Sequence, residues 1–541
     1  MKYSLAAGLL FAGSACAVLE LPVAKRDKHT DGKTRDVARG LFPRADPGTL
    51  ETTIFSGVGY VSGGSYYLNI SVGTPPQQQT VLLDTGSSDL YLDASSAPAC
   101  SSNGPHRCEA STFDPSSSST YQQIEPSPAF NASYGDGSYA IGPYGSDVVC
   151  INDLCIDNVQ FGLATEVNST VGPAIGLMGV GATDIEATRS YYPNIPEVLV
   201  DAGIINSRLY SLYLNDYDAV TGSILFGGID TDKYTGKLTT IDTLPDPVTG
   251  YVDQFITAIT ALSTNVGGQK STIFSGGAAG AAAFKSPTSL PVLLDSGSSA
   301  WSVPNSVYKA VVSEFTYIDA NTGIAPCSYA YSGDSVTITI NGQIDIDVDI
   351  SNFFLPIYQP GTSTPVTYNN GEQACNFEII PSGGTGEGFD TMGDAMIRAM
   401  YVVYDLDQGQ MSIAQANLNS TSSNIKEVPA GPGGVAKAIG GNSNSVPTQS
   451  YSVAPDATST TFSVSTAKST IGTATGIAAV PTAARVSGEG GSSGAAGGSS
   501  PSSSSHHSGA EALKMSQTGW SGMGAVAAVA LGTVLGAALM L

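Results

Sequence analysis

The amino-acid sequence predicts a mostly β protein of two related β lobes, with its functional site in the cleft between them. Three observations lead there. The phrase VLLDTGSS at Val81–Ser88 returns, with one change, as VLLDSGSS at Val292–Ser299. Short apolar or alternating runs, such as Ser211–Leu214, Ser335–Ile340 and Tyr401–Asp405, are punctuated by Gly, Pro, Asn and Asp, as strands are. Helical periodicity is confined to short stretches at Glu197–Ala202, Asn305–Phe315 and Gly393–Ala399.

The repeated phrase is the strongest of these. Each copy is an aliphatic run that reads as a buried strand, closed by Asp-Thr/Ser-Gly, in which the glycine permits a tight turn. Asp84 and Asp295 are thereby pushed to the ends of buried strands, where an ionisable group is expensive unless it is paired and hydrogen-bonded. Two such aspartates on matched scaffolds suggest that each half presents one carboxyl to a shared site, the layout of acid–base chemistry by a carboxyl pair.

Composition narrows the alternatives. At 541 residues the chain has room for two or three domains. Its 22 basic and 46 acidic residues give a net charge of −24. That balance argues against nucleic acid as a partner, since phosphate binding needs basic patches. An acidic surface can attract cationic peptides, or simply keep a protein soluble outside the cell. The four histidines are His29, His106, His506 and His507. A His-dependent nucleophile would have to use His106, and a His-rich zinc site cannot be assembled, so no bound metal is expected. Carboxylates are nearly the only acid–base groups left to the folded region.

With both aspartate phrases in view, the chain resembles the pepsin-family (A1-type) aspartic endopeptidases. Tyr66–Gln78 (YYLNISVGTPPQQ) is similar to the family's phrase just ahead of the first aspartate. Ser133–Ser138 (SYGDGS) resembles the flap hairpin, with Tyr134 in the flap tyrosine position, followed by Gly135 and Asp136. Ala174–Gly181, Gly222–Asp230 and Met392–Asp405 resemble the segment behind the first aspartate, the lobe crossing and the C-terminal phrase. Together they cover roughly Tyr66 to Asn417.

The resemblance implies a bilobal pepsin-like fold, with an N-terminal lobe over 45–238 and a C-terminal lobe over 239–417. It implies hydrolysis of peptide bonds at acidic pH by Asp84 and Asp295, with no cofactor. Thr85 and Ser296 would bind across the two loops. Ser87 and Ser298 would hydrogen-bond the outer carboxylate oxygens, and Gly86 and Gly297 would supply backbone N–H groups. Tyr91 stands where relatives often have the Trp that hydrogen-bonds the flap tyrosine. Asp136 stands where many have Thr, and Asp89 where many have Asn. Asp136, with Asp89 near it, could receive a Lys or Arg before the scissile bond; equally, Asp136 could only hold the flap turn. A catalytically silent wall protein is the rival from another class, marked by loss of one aspartate, and both are present. A processing protease with very few substrates is a third reading.

The ends point to a route. Met1–Ala17, with Lys2, an apolar stretch and Ala15-Cys16-Ala17, reads as a secretory signal peptide over 1–17. The segment 18–44 holds Lys25, Arg26, Lys28, Lys33, Arg35, Arg39 and Arg44, and reads as a propeptide that covers an acidic cleft by charge, or else as a linker. Lys25-Arg26 and Arg44 are candidate processing sites. Residues 418–508, rich in Ser, Thr, Gly and Ala, read as an extended stalk unable to bury a core. Ser508-Gly509-Ala510, a spacer and the apolar tail Met523–Leu541 read as a GPI-attachment signal over 509–541, cleaved at Ser508. A transmembrane helix is the rival, but no Lys/Arg cluster follows the tail. The layout is closest to the fungal GPI-anchored yapsin-like proteases. It implies a monomer at the plasma membrane or cell wall, acting on peptides and proteins.

Cysteine usage agrees with secretion. Of seven cysteines, Cys16 leaves with the signal peptide and the rest are even in number. Cys150 and Cys155 flank Asn152-Asp153, which suits a hairpin turn and makes them cross-strand neighbours. Cys100 with Cys108 and Cys327 with Cys375 resemble pairs found in the family; a metal site is the alternative use, without CxxC spacing to support it. Sequons at Asn69, Asn131, Asn168 and Asn419 permit N-glycans.

Overall fold

The computed structural model describes residues 19–25 and 65–441, apart from 102–107, 109–110, 125–128, 153, 171–173, 189, 220, 276–288, 360–363 and 383–387. The expected signal peptide, most of the propeptide, the stalk beyond 441, Ser508 and the apolar tail lie outside the described residues. So do His106 and most of the small-residue stretch Ser275–Ala283.

Strands dominate, and the reason is visible where one face is wet. Ser335–Ile340 (SVTITI) and Ile344–Asp349 (IDIDVD) bury every second side chain. They are joined through Asn341 and Gly342, both with left-handed backbone that Asn and Gly adopt readily. The two aspartate strands differ. Leu290–Leu294 is almost wholly buried, and Gln77–Asp84 buries its last four residues save one. Such strands sit inside a sheet, covered on both faces.

Two sheets organise the molecule. The larger runs in the order Tyr234–Asp242, Gln410–Ala416, Met400–Asp405, Leu209–Tyr213, Thr221–Phe226, Leu19–Lys25, Tyr66–Val72, Gln77–Asp84, Gly176–Gly179, Leu90–Asp93, Leu154–Ala164, Tyr144–Ile151 and Gln122–Gln123. The second runs Ile344–Asp349, Ser335–Ile340, Ile256–Val266, Leu290–Leu294, Asp390–Met392, Trp301–Val303 and Ile379–Pro381. The halves repeat one device. Gly176–Gly179 lies parallel to Gln77–Asp84 and antiparallel to Leu90–Asp93. Asp390–Met392 lies parallel to Leu290–Leu294, with Trp301 paired antiparallel to Met392.

The lobes are not cut cleanly between 238 and 239. Met400–Asp405 and Gln410–Ala416, late in the chain, pair with Leu209–Tyr213 and Tyr234–Asp242. The sheet between the halves is therefore shared. Leu19–Lys25, from the expected propeptide, adds a backbone role to the one expected from charge: it pairs antiparallel with Thr221–Phe226 and, at its end, with Tyr66 and Tyr67.

Helices Ile195–Asp201, Asn305–Glu314 and Asp394–Ile397 lie close to the periodic stretches, and Pro98–Ser101 and Gly434–Ala438 add two short ones that no periodicity marked. Ile195–Asp201 is capped by Asn194, whose side chain accepts from Glu197 N. Disulfides join Cys100 to Cys108, Cys150 to Cys155 and Cys327 to Cys375. Cys150 and Cys155 face each other across the hairpin, with Asn152 in left-handed backbone. Asn131 and Asn419 are exposed, whereas Asn69 and Asn168 are half-buried.

The stalk does not begin at 418 as expected: the folded unit continues to 441. Ile425–Glu427 pairs antiparallel with Gly228–Asp230, and Asn424 N donates to Asp230 Oδ1 at 2.8 Å. Lys233 Nζ donates to Ser420 O and Ser422 O, each at 3.0 Å. Val428 and Val435 are buried with Leu209, Ile229, Tyr401 and Val403. A few valines spaced among polar residues were enough to cover an apolar patch that the sheet had already built. Truncation after Asn417 should therefore lower thermal stability, and Val428→Ala should cost roughly 2 kcal/mol in urea unfolding. A chain ending at 417 with unchanged stability would make this segment part of the stalk.

Candidate active site

Asp84 and Asp295 end or follow their strands and meet at the centre of the molecule, with 1% and 0% of their surface exposed. What brings them together is a set of hydrogen bonds across the two loops. Thr85 Oγ1 donates to Leu294 O at 2.9 Å and accepts from Ser296 N at 3.0 Å. Ser296 Oγ donates to Leu83 O at 2.9 Å and accepts from Thr85 N at 3.2 Å. Each hydroxyl thus satisfies two backbone groups that burial would otherwise leave unpaired.

Within each loop the geometry repeats. Gly86 N donates to Asp84 Oδ1 and Gly297 N to Asp295 Oδ1, both at 2.8 Å. Ser87 Oγ donates to the other oxygen of Asp84 at 2.5 Å, while Ser298 Oγ donates to Ala300 O at 3.4 Å. The glycines measure how close the lobes approach. A Cβ on Gly86 would lie 2.7 Å from Asp295 Oδ1, and one on Gly297 would lie 2.5 Å from Asp84 Oδ1. Neither position has room for a side chain. Gly179 and Gly393, which pass behind the loops, are equally confined, against Ser88 N at 2.5 Å and Ser298 O at 2.4 Å.

Burial raises the Asp84 carboxyl above its ordinary range, opposed by hydrogen bonds from Ser87, Asp295 and Gly86. Two carboxyls in hydrogen-bond contact cannot both ionise cheaply, so the pair holds one proton over a range of pH and titrates as a unit.

The flap is the hairpin of Phe130–Ser133 and Tyr139–Gly142, closed by Tyr134 N donating to Ser138 O at 2.8 Å. The hydroxyls of Tyr134 and Tyr91 are hydrogen-bonded to each other, and Tyr91 Oη donates to Ile175 O at 3.3 Å. Tyr91 therefore holds the flap tyrosine although it is shorter than Trp. Asp136 faces inward on the turn: its oxygens accept from Ser138 N at 2.8 Å, Ser138 Oγ at 2.7 Å and Thr170 Oγ1 at 2.7 Å. Asp89 is held by interior partners. It is 6% exposed and accepts from Tyr144 Oη at 2.9 Å, Tyr192 Oη at 2.7 Å and Ala187 N at 2.6 Å.

Thr170 and the group around Asp89 escaped the sequence reading, because nothing local marks them. Glu186 is the most consequential. It is 0% exposed, accepts from Tyr192 N at 3.0 Å, and burial together with neighbouring Asp89 raises it to about 9. Burial also raises Glu378 and Asp390 to about 7 and Asp253 and Asp405 to about 6. Among the described residues one trio lies within metal-binding reach, Asp93 with Cys100 and Cys108, but the two sulfurs are bonded to each other.

Residues 65–416 match the family described as Eukaryotic aspartyl protease. The chain is 36% identical to the probable aspartic-type endopeptidase opsB of Aspergillus fumigatus over 69% of its length and 73% of that protein's. It is 39% identical to the opsB protein of Aspergillus oryzae, over 68% and 71%. Against the aspartic proteinase yapsin-3 of Saccharomyces cerevisiae it is 32% identical, over 67% and 68%.

Two outcomes follow. Thr85→Val strands Leu294 O and Ser296 N, and should destabilise the protein by roughly 2–6 kcal/mol in urea unfolding, at about 1–3 kcal/mol for each buried group. The raised carboxyls set the sign of the pH dependence. Their folded pKa exceeds the unfolded one, so stability is full below the ordinary carboxyl range and declines as pH rises from there toward the folded pKa. Tm should fall between pH 5 and 8, and fall less in Glu186→Gln. Equal slopes in the two proteins would remove Glu186 from this account.

Proposed function

The chain belongs to the eukaryotic aspartyl protease family and is an aspartic endopeptidase; from that premise we propose that Asp84 and Asp295 are its catalytic pair. The supporting observation is their burial against each other's loops, with the hydrogen-bond contact between them. Singly protonated, the pair does two jobs at once. The ionised carboxylate takes a proton from the attacking water, while the protonated one donates to the peptide carbonyl. The gem-diol collapses as the departing nitrogen is protonated. Thr85 and Ser296 fix the loops, Gly86, Gly297 and Ser87 hold the carboxyls in plane, and Ser298 supports the second loop. Tyr134, held by Tyr91, covers the substrate.

We infer a secreted, cell-surface enzyme, working as a monomer in acid on peptides and proteins, released from a propeptide and tethered by a GPI anchor at Ser508. The leader, the basic segment and the small-residue site ahead of an apolar tail support this. The stalk then starts after 441 rather than at 418.

Three donors on Asp136 support a structural role in the flap. A preference for Lys or Arg before the scissile bond is the second reading, favoured by the chain's acidic balance.

Asp84→Asn and Asp295→Asn should each abolish turnover of a peptide substrate while the secreted protein stays folded. Near-native activity in either would refute the assignment. Asp136→Thr should lower cleavage after Lys and after Leu to the same extent. A loss confined to Lys and Arg substrates would instead make Asp136 a specificity residue.

A further inference from the structure

Asp93 has no part in the chemistry above, yet it is 1% exposed and, among the described residues, neither of its oxygens has a hydrogen-bond partner. A buried carboxyl is normally paired, so its position asks for a reason. What lies beside it is a disulfide. A carboxyl oxygen of Asp93 and the sulfurs of Cys100 and Cys108 all lie within 4.8 Å of one another. Both cysteines are only half-buried, whereas Asp93 beside them is buried.

We propose that Cys100–Cys108 is a thiol-exchange site, opened by a small thiol reductant and served by Asp93 as its buried proton donor. A dithiol supplies the electrons. Its thiolate attacks one cysteine sulfur, a mixed disulfide forms, and the Cys100–Cys108 bond breaks. The departing cysteine thiolate takes the proton of the Asp93 carboxyl. The second thiol of the reagent then resolves the mixed disulfide and closes to a cyclic disulfide. The protein gains two thiols, the reagent loses two electrons and two protons, and Asp93 recovers its proton from the medium. Protonating the departing thiolate makes it a better leaving group.

The surroundings fit a donor rather than a fixed charge. Burial alone raises Asp93 to about 7. Among the described residues, Tyr91 on the same strand is an ionisable side chain with which it interacts, and the backbone beside it belongs to Ala164 and Phe113. The site also has a path to the flap. Cys108 bridges Ala174, whose neighbour Ile175 offers the carbonyl on Tyr91 Oη, and Tyr91 holds Tyr134. Opening the disulfide therefore loosens the seat of the flap tyrosine.

The test is native-state reduction of the intact protein by dithiothreitol, with each cysteine pair followed by alkylation and mass mapping. Cys100–Cys108 should open first, ahead of Cys150–Cys155 and Cys327–Cys375. Its rate, divided by the concentration of reagent thiolate, should be about 10-fold or more higher at pH 6 than at pH 9. In Asp93→Asn that excess should vanish. Simultaneous opening of all three pairs, a normalised rate independent of pH in the unaltered protein, or an Asp93→Asn protein that keeps the excess would each overturn the proposal. The profile of the unaltered protein decides the matter alone if the variant does not fold. Because the readout is thiol exposure, it is independent of whether Asp84 and Asp295 are the catalytic pair.

Discussion

The structure depends on four hydrogen bonds that cross from one half to the other. Thr85 and Ser296 each donate a hydroxyl to a carbonyl at the end of the opposite strand and accept the opposite loop's N–H. Without them, two buried carboxyls would have no reason to stay in contact, since each would be better solvated alone. With them, the repulsion between like groups is turned into a shared proton. The remaining architecture serves that contact: a sheet common to both halves, parallel strands behind each aspartate, and glycines wherever a side chain would push the loops apart.

The same preference for neutral acids extends beyond the pair. Asp89, Glu186, Glu378 and Asp390 are buried carboxyls whose protonated form is favoured. They lie near the aspartate loops: Asp89 follows Ser87 and Ser88, and Glu378 accepts from Ser299 Oγ at 3.1 Å. An interior of this kind is comfortable in acid and strained by neutral pH. Its sparse cations are spent locally, as where Arg208 Nε donates to Asp407 Oδ1 at 2.7 Å. The medium in which the pair can hold one proton is thus the medium in which the fold is firmest.

Much of this was legible in the chain. The repeated phrase gave both aspartates, their strands and the loop partners, because those contacts repeat a local pattern twice. The hairpin cysteines were legible from the turn between them, and the Asx-type turn at Asp136 from Asp-Gly-Ser. Asp89 and Glu186 were not, since Glu186 reaches Asp89 only after the chain has passed behind the first aspartate. The folded segment after 417 was hidden for a different reason. Its composition is polar, and only the patch formed by Leu209, Ile229 and Tyr401 makes Val428 and Val435 sufficient. Thr170 against the flap turn and Asp93 beside the disulfide are likewise products of three-dimensional proximity.

The central claim is that the cross-lobe bonds hold two carboxyls as one acid–base unit. The most direct measurement is kcat/KM of the mature enzyme on a peptide substrate across the pH range. The expected profile is a bell whose two limbs both fall on the acid side of neutrality or close to it, one for loss of the shared proton and one for protonation of the carboxylate. A single sigmoid that climbs to a plateau at alkaline pH would contradict it.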